Sequence, residues 1–321
     1  MTADRMLLRH GLRRRRTSLK SKTLLSSSSS RRGAFSAAMQ QFEELMTASA
    51  AVGPASRPIT LYYAMAQAGL AVAAAHKPDP WSFSRHGLKL HNPRSSLADI
   101  GVGPEGVGAF QFVAQATNSP ELHRLVRFGA LWSSLPDLGE VSPLSFAAPE
   151  ALTVLPERSS PTAEARVILI CPNPGPEKFM STLAEALHKY PGISGFRVIP
   201  GSYREIQKSR WSVDLQWDRP LNFDEVAPPY RYNGEHYLRP SLDGQGGKPP
   251  SPFMTWWAIL YTFSMLSRYF PREWATALDV DKSPDAYLLE YALDLALDVV
   301  PHLTMEALDG EPALFTKPLA F

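Results

Sequence analysis

The sequence predicts a mainly α-helical protein with a single helical core and a small α+β unit inserted into it. Two observations carry this. Apolar residues recur at helical spacing near both ends of the chain, and a short β-branched run breaks that pattern in the middle. A third, the 29 prolines among 321 residues, exceeds the roughly 5% of an ordinary chain and predicts many short elements that begin or end at proline.

Residues 1–33 hold ten Lys or Arg and one acid, a net +9. With an overall charge of +2, the remainder carries −7. No periodic apolar face is evident in this segment beyond Met6, Leu7 and Leu8, so it is expected to be a disordered basic tail. Three roles compete for it: a targeting peptide, an arm for nucleic acid or an anionic surface, and a non-functional leader from an early start. The leader is the preferred reading.

The helical domain is expected over residues 34–321. Phe35, Met39, Phe42 and Met46 lie on one stripe of a helix to about Ala50, with Glu43 and Glu44 outside it. Arg57-Pro58 opens a second helix to about His76, with proline at its first position, and Gly53-Pro54 joins the two as a hairpin. Residues 77–118 read as irregular. Ser119 caps a helix expected to run to about Ser134.

The inserted unit is expected at about 150–220. Ala165–Ile170 reads as a buried strand, Pro176–Tyr190 as a helix, and Phe196–Ile199 and Val213–Trp217 as further strands. Residues 218–250 read as an irregular loop. Helices then resume at Ser251-Pro252, at Pro271, and at Ser283-Pro284-Asp285. The last is expected to turn Leu288, Tyr291, Ala292, Leu295 and Val299 inward and to leave Glu290, Asp294 and Asp298 on its wet face.

Two apolar stretches, Pro58–Ala75 and Phe253–Leu266, read as core helices. The first is too rich in Ala and Gly to insert well, and the second is too short to span a bilayer. Cys171 is the single cysteine, which excludes a disulfide framework and fits a cytoplasmic protein. It follows a strand and reads as an inert buried thiol.

Few residues point to chemistry. Gly101-Val102-Gly103-Pro104-Glu105-Gly106 matches the dinucleotide fingerprint in letters, but Pro104 removes a donor and Glu105 repels phosphate, so a glycine-rich surface turn is expected. His76, His86 and His91 lack the spacing of a zinc site. No cofactor or metal is expected. Arg85 and His91 stand six residues apart, which resembles the active-site motif of HEPN-type ribonucleases. That resemblance implies a metal-independent RNase in which Arg85 stabilises charge and His91 transfers protons. His86 can instead bond carbonyls in a turn. Arg268 is expected to pair with Asp279, Asp281 or Glu290, or to stack on an aromatic ring.

Three segments together resemble the bacterial YaaC-like family: Pro58–Ala68 with its Tyr62-Tyr63 pair, His86-Gly87-Leu88, and Leu266-Ser267-Arg268-Tyr269 followed by Trp274. The resemblance spans about residues 35–310 and leaves the basic tail outside. It implies a bacterial cytosolic protein and brings no biochemical activity with it. His86, Arg268, Tyr269 and Trp274 are thus the binding or structural candidates. The leading expectation is a helical binding or scaffold protein of unknown partner and oligomeric state. The ribonuclease and the tail-borne nucleic-acid or anionic-surface binder stand as alternatives.

Overall fold

The computed structural model describes residues 3–19, 24–139, 141, 144, 148–156, 164–170, 187–191, 196–207, 210–217, 227–230, 234–242 and 247–310. The chain forms two compact units, residues 1–131 with 250–321, and residues 132–249.

The first unit is built on a helical hairpin, α2 (Ser29–Ala51) and α3 (Arg57–His76). Ser28 caps α2 by accepting the Arg31 N–H. Phe35, Met39 and Phe42 are fully buried, as their spacing requires. Glu43, expected outside, is buried as well. Arg31 lies in the segment expected to be disordered, yet it is only 5% exposed. Its guanidinium donates to the carbonyls of Ala74 and Lys77 at 3.0 and 2.8 Å, supplying partners that the last turn of α3 would otherwise lack. It also meets Asp79 at 2.8 Å and lies over the Trp81 ring.

The basic segment is itself helical: α1 spans Ala3–Ser18 and packs on α2. The expected tail is corrected by two facts about its residues. Leu12 and Leu19 are buried and Leu8 lines a cavity, so an apolar stripe at positions 8, 12 and 19 was hidden among arginines. The arginines also find acids on the body: Arg13 donates to Glu43 at 3.0 Å, and Arg15 grips both oxygens of Asp309 at 2.7 and 2.6 Å.

Residues 77–118, expected to be irregular, contain β1 (Leu88–His91), β2 (Gly101–Pro104) and α4 (Ala109–Ala116). The first half of the glycine-rich letters, Gly101–Gly103, is therefore buried in an antiparallel strand, while Pro104, Glu105 and Gly106 are exposed where the chain turns, with Gly106 at φ +66°. Gly101 is there because a Cβ would meet the Leu125 side chain at 2.8 Å. The helix expected over Ser119–Ser134 is replaced by β3 (Val126–Arg127), paired with β2, and a short α5 (Phe128–Ser133). Strand pairing of Val126 with Val102 overrides the local helical signal. Ser119 does accept an N–H, but from Ser251 at 2.8 Å.

The second unit begins at Trp132 and holds the short α6 (Pro136–Gly139). Its sheet comprises β4 (Leu152–Pro156), β5 (Glu164–Ile170), β6 (Phe196–Val198), β7 (Arg204–Gln207), β8 (Arg210–Trp217) and β9 (His236–Leu238). All pairs are antiparallel, in the order β6-β8-β5-β4-β9, with β7 also on β8. β9 falls in the stretch expected as an irregular loop. Leu152, Val154, Val213, Leu215, Trp217 and Leu238 form a core that belongs to this unit. The single core expected from sequence is thus corrected to two. Cys171 and the helix expected over residues 176–190, apart from Leu187–Tyr190, lie outside the described residues.

Back in the first unit, α7 (Pro252–Tyr269), α8 (Pro271–Ala277) and α9 (Ala286–Asp309) complete the helical layer. Ser251 caps α7 by accepting the Met254 N–H. α7 and α9 both pack on α3, so the ends of the chain share one apolar interior. Leu288, Ala292, Leu295 and Val299 point inward, but Tyr291 is 37% exposed. Asp294, on the exposed face, pairs with Arg57. Among the described residues, α3 is long and apolar enough to cross a membrane, and 67% of that stretch is buried inside the protein.

Candidate functional site

A cluster of aromatic and polar side chains gathers in the helical unit where α3, α7 and the turn before β1 meet. Helical spacing on α7 puts Trp257, Tyr261 and Arg268 at positions i, i+4 and i+11, along one side. Tyr62 and Tyr63 come from α3. His86 comes from the turn, which requires Gly87 at φ +79°.

That turn is held by α4. The carbonyls of Arg85 and His86 accept the first N–H groups of the helix, from Ala109 and Phe110. The Gln111 side chain donates to the Gly87 carbonyl at 2.8 Å and accepts the Gly108 N–H at 3.0 Å, both buried. His86 is therefore placed by a locked backbone even though its side chain meets solvent.

The Tyr62 hydroxyl lies 2.8 Å from His86 Nδ1. Burial pushes the Tyr62 hydroxyl far above the usual phenol range, and Tyr261 adds to the effect. Trp257 opposes it weakly, since its indole N–H lies toward the Tyr62 oxygen without meeting hydrogen-bond geometry. Burial, followed by the charge of Arg268, lowers His86 below its ordinary value. At pH 7 and above Tyr62 thus stays protonated and His86 neutral. With the Tyr62 O–H assigned as donor to Nδ1, the imidazole carries its proton on Nε2. Tyr261 donates to the Leu88 carbonyl at 2.7 Å, and burial, with Glu105 adding, pushes it up to about 12.

Arg268 completes the cluster. Its guanidinium stands 4.8 Å from the Tyr269 ring centroid and 5.7 Å from that of Tyr63, and it donates to the Tyr269 hydroxyl at 2.9 Å. Of the two arrangements expected for it, stacking is the one present. Asp279 pairs with Lys282 instead, and among the described residues no carboxylate lies within ion-pair reach of Arg268. A half-buried cation flanked by aromatic faces, beside a neutral imidazole that presents an N–H, favours an anion.

The lowered His86 pKa has a stability consequence. Below about pH 6.5 the unfolded chain takes up a proton at His86 that the folded chain resists. Folding stability should therefore fall as pH drops from about 6.5 toward the lowered folded value. The wild-type minus His86→Gln difference in urea midpoint isolates this slope; a difference independent of pH would refute it.

Of the sequence candidates, His86, Arg268 and Tyr269 come together. Trp274 does not join them: it is buried against Phe263 and donates to the Pro54 carbonyl, tying α8 to the hairpin turn. Arg85 is exposed just before the Gly87 turn, and His91 ends β1 opposite Gly101. The pair stands on a turn and a strand, where the ribonuclease resemblance calls for a helix, and no contact joins them among the described residues. Tyr62, Tyr63, Tyr261 and Gln111 were not read as site residues. The apolar helical settings of the three tyrosines mark core, Gln111 falls in a stretch read as irregular, and only folding brings them beside His86. Among the described residues no three His, Cys, Asp or Glu side chains cluster as a metal site would need.

No curated protein and no solved structure matches the chain. The model of the YaaC-like protein family matches residues 4–308, so the match begins inside the basic segment expected to lie outside it. Nearly the whole chain is spanned, and the protein belongs to the YaaC-like family.

Proposed function

We propose that the chain is a cytoplasmic binding protein whose His86–Arg268 site captures a small anion attached to an apolar or aromatic body. The observation that carries this is Arg268, a cation stacked between Tyr63 and Tyr269 and supplied with no carboxylate among the described residues. A cation kept out of full solvation without a counter-charge is a ready partner for a ligand's anion. The Nε2–H of the exposed His86 adds a neutral donor, and the half-exposed rings of Tyr63 and Tyr269 offer apolar surface.

The reading as a basic arm for nucleic acid has less behind it. Arg9, Arg13 and Arg15, which such an arm would need free, are engaged with Glu43 and Asp309.

Calorimetric titration with phenyl phosphate, benzoate and inorganic phosphate tests the proposal. The aryl anions should bind more tightly than inorganic phosphate. Arg268→Gln should weaken them about 10- to 100-fold, the value of one or two charge-assisted hydrogen bonds, with an unchanged circular dichroism spectrum. Absence of binding at millimolar concentration, or equal binding by Arg268→Gln, would overturn it.

A further inference from the structure

The first helix has two sides, and the fold uses one of them. Helical periodicity puts Leu8, Leu12 and Arg15 on the side turned to the protein, where Leu12 is buried and Arg15 holds Asp309. Met6, Leu7, His10, Arg13, Arg14 and Thr17 fall on the opposite side, and all six are exposed. Met6 and Leu7, near the start of the helix, are 61% and 62% exposed. The outward side thus runs from an aliphatic pair to a pair of arginines about two turns further on.

Docking does not use up the charge of this helix. Arg9 and Arg13 share the one carboxylate of Glu43 and Arg15 takes Asp309, so three guanidinium groups face two acids. Arg13 keeps 61% of its side chain in solvent although its Nε is bonded. Arg14 is exposed and meets no carboxylate among the described residues. The chain beyond residue 33 carries −7. An anionic surface therefore repels the body and attracts this face, which sets the orientation of approach.

We infer that the outward side of α1 rests on an anionic lipid bilayer, with Arg13 and Arg14 against the headgroup phosphates and Met6 and Leu7 dipped into the acyl boundary. Two features favour lipid over nucleic acid. A phosphate backbone rewards cations but gives two exposed aliphatic side chains nowhere to go, whereas a bilayer interface takes both. Arg9 and Arg15, which a nucleic-acid groove would draw on, are engaged with the body. The helix stays docked throughout, because the side that holds it to the protein and the side that meets lipid are separate. With few cations and two short apolar anchors the contact is reversible.

Co-sedimentation of the full chain with vesicles tests this, using phosphatidylcholine alone and phosphatidylcholine with one third phosphatidylglycerol. The chain should partition onto the mixed vesicles, not onto phosphatidylcholine alone, and salt should weaken the partition. Arg14→Gln should weaken it about fivefold, the worth of one cation at an anionic leaflet. Met6→Ser with Leu7→Ser should weaken it about tenfold by removing the apolar anchors. Arg272→Gln, which removes the same charge from the exposed surface of α8, should leave it unchanged. All these side chains point to solvent, so circular dichroism and melting temperature should hold. Equal partition onto both vesicles, none onto either, or an Arg272→Gln loss matching that of Arg14→Gln would overturn the inference. So would a single-stranded RNA that displaces the vesicles and binds the Met6→Ser, Leu7→Ser variant undiminished, since nucleic acid would then be the partner. The face shares no residue with the cluster around Arg268, so either reading can fail without the other.

Discussion

Gly87→Ala should lower stability by about 3–5 kcal/mol and abolish anion binding together. Two costs combine. An L side chain in the left-handed region loses about 1–2 kcal/mol, and Gly87 sits at φ +79°. The added Cβ would also stand 2.0 Å from Gln111 Oε1 and 3.1 Å from the Gly108 N. Gln111 would have to leave, breaking its buried hydrogen bonds to Gly87 and Gly108, each worth about 1 kcal/mol and more if a buried partner is stranded. His86 rides on the same turn, so its Nδ1 would lose Tyr62. Urea unfolding and phenyl phosphate titration on one preparation check both halves. In the double variant Gly87→Ala/Gln111→Ala the second change should cost less than it does alone, because the clash is gone. A loss under about 1 kcal/mol for Gly87→Ala would show that the turn is not locked as described.

Trp257→Ala should cost about 3–5 kcal/mol, the range for deleting a large buried aromatic side chain. Trp257 is fully buried and meets Tyr62 and Phe253 edge to face. It also lies so close to α3 that a Cβ on Gly69 would fall 2.2 Å from its ring. The site should suffer with the fold, since the indole is the packing that holds Tyr62 toward His86. Trp257→Phe keeps most of the ring packing and should cost about half as much. Denaturation midpoints for the two variants, with anion affinity measured on the folded fraction, separate the packing loss from the site loss. Equal, small effects would mean that the contact between α3 and α7 is looser than the geometry implies.

Much of the helical unit was legible because its helices announce their starts. Pro58, Pro252 and Pro271 occupy first-turn positions, and the Phe35–Met39–Phe42 stripe lies where the periodicity puts it. The strand at 164–170 was legible as a continuous β-branched apolar run over Ala165–Ile170, and that at 210–217 from the alternation of Val213, Leu215 and Trp217. What escaped was decided by partners distant in sequence. Leu8, Leu12 and Leu19 are too sparse among arginines to read as an amphipathic face until Glu43 and Asp309 supply the counter-charges. β1, β2 and β3 carry only a few apolar residues each and exist because they pair with one another. The site was half legible. His86, Arg268 and Tyr269 drew notice as individuals, but nothing in the linear order says that residue 86 lies against residues 62 and 261. Tyr62 and Tyr261 are indistinguishable from ordinary core aromatics until their hydroxyls find a histidine and a carbonyl.

The grip of Arg15 on Asp309 has a consequence for how the molecule is born. α1 packs on α2 and on residues 286–309, so its docking is complete only once residues 286–309 have been made, and α3 of the hairpin likewise waits for residues 252–269. The sheet at 132–249 has all its strands well before then. During synthesis the nascent chain therefore passes through a stage in which all the strands of the middle unit have been made while Arg15 still lacks Asp309, and the helical body closes only after residue 309 has been made.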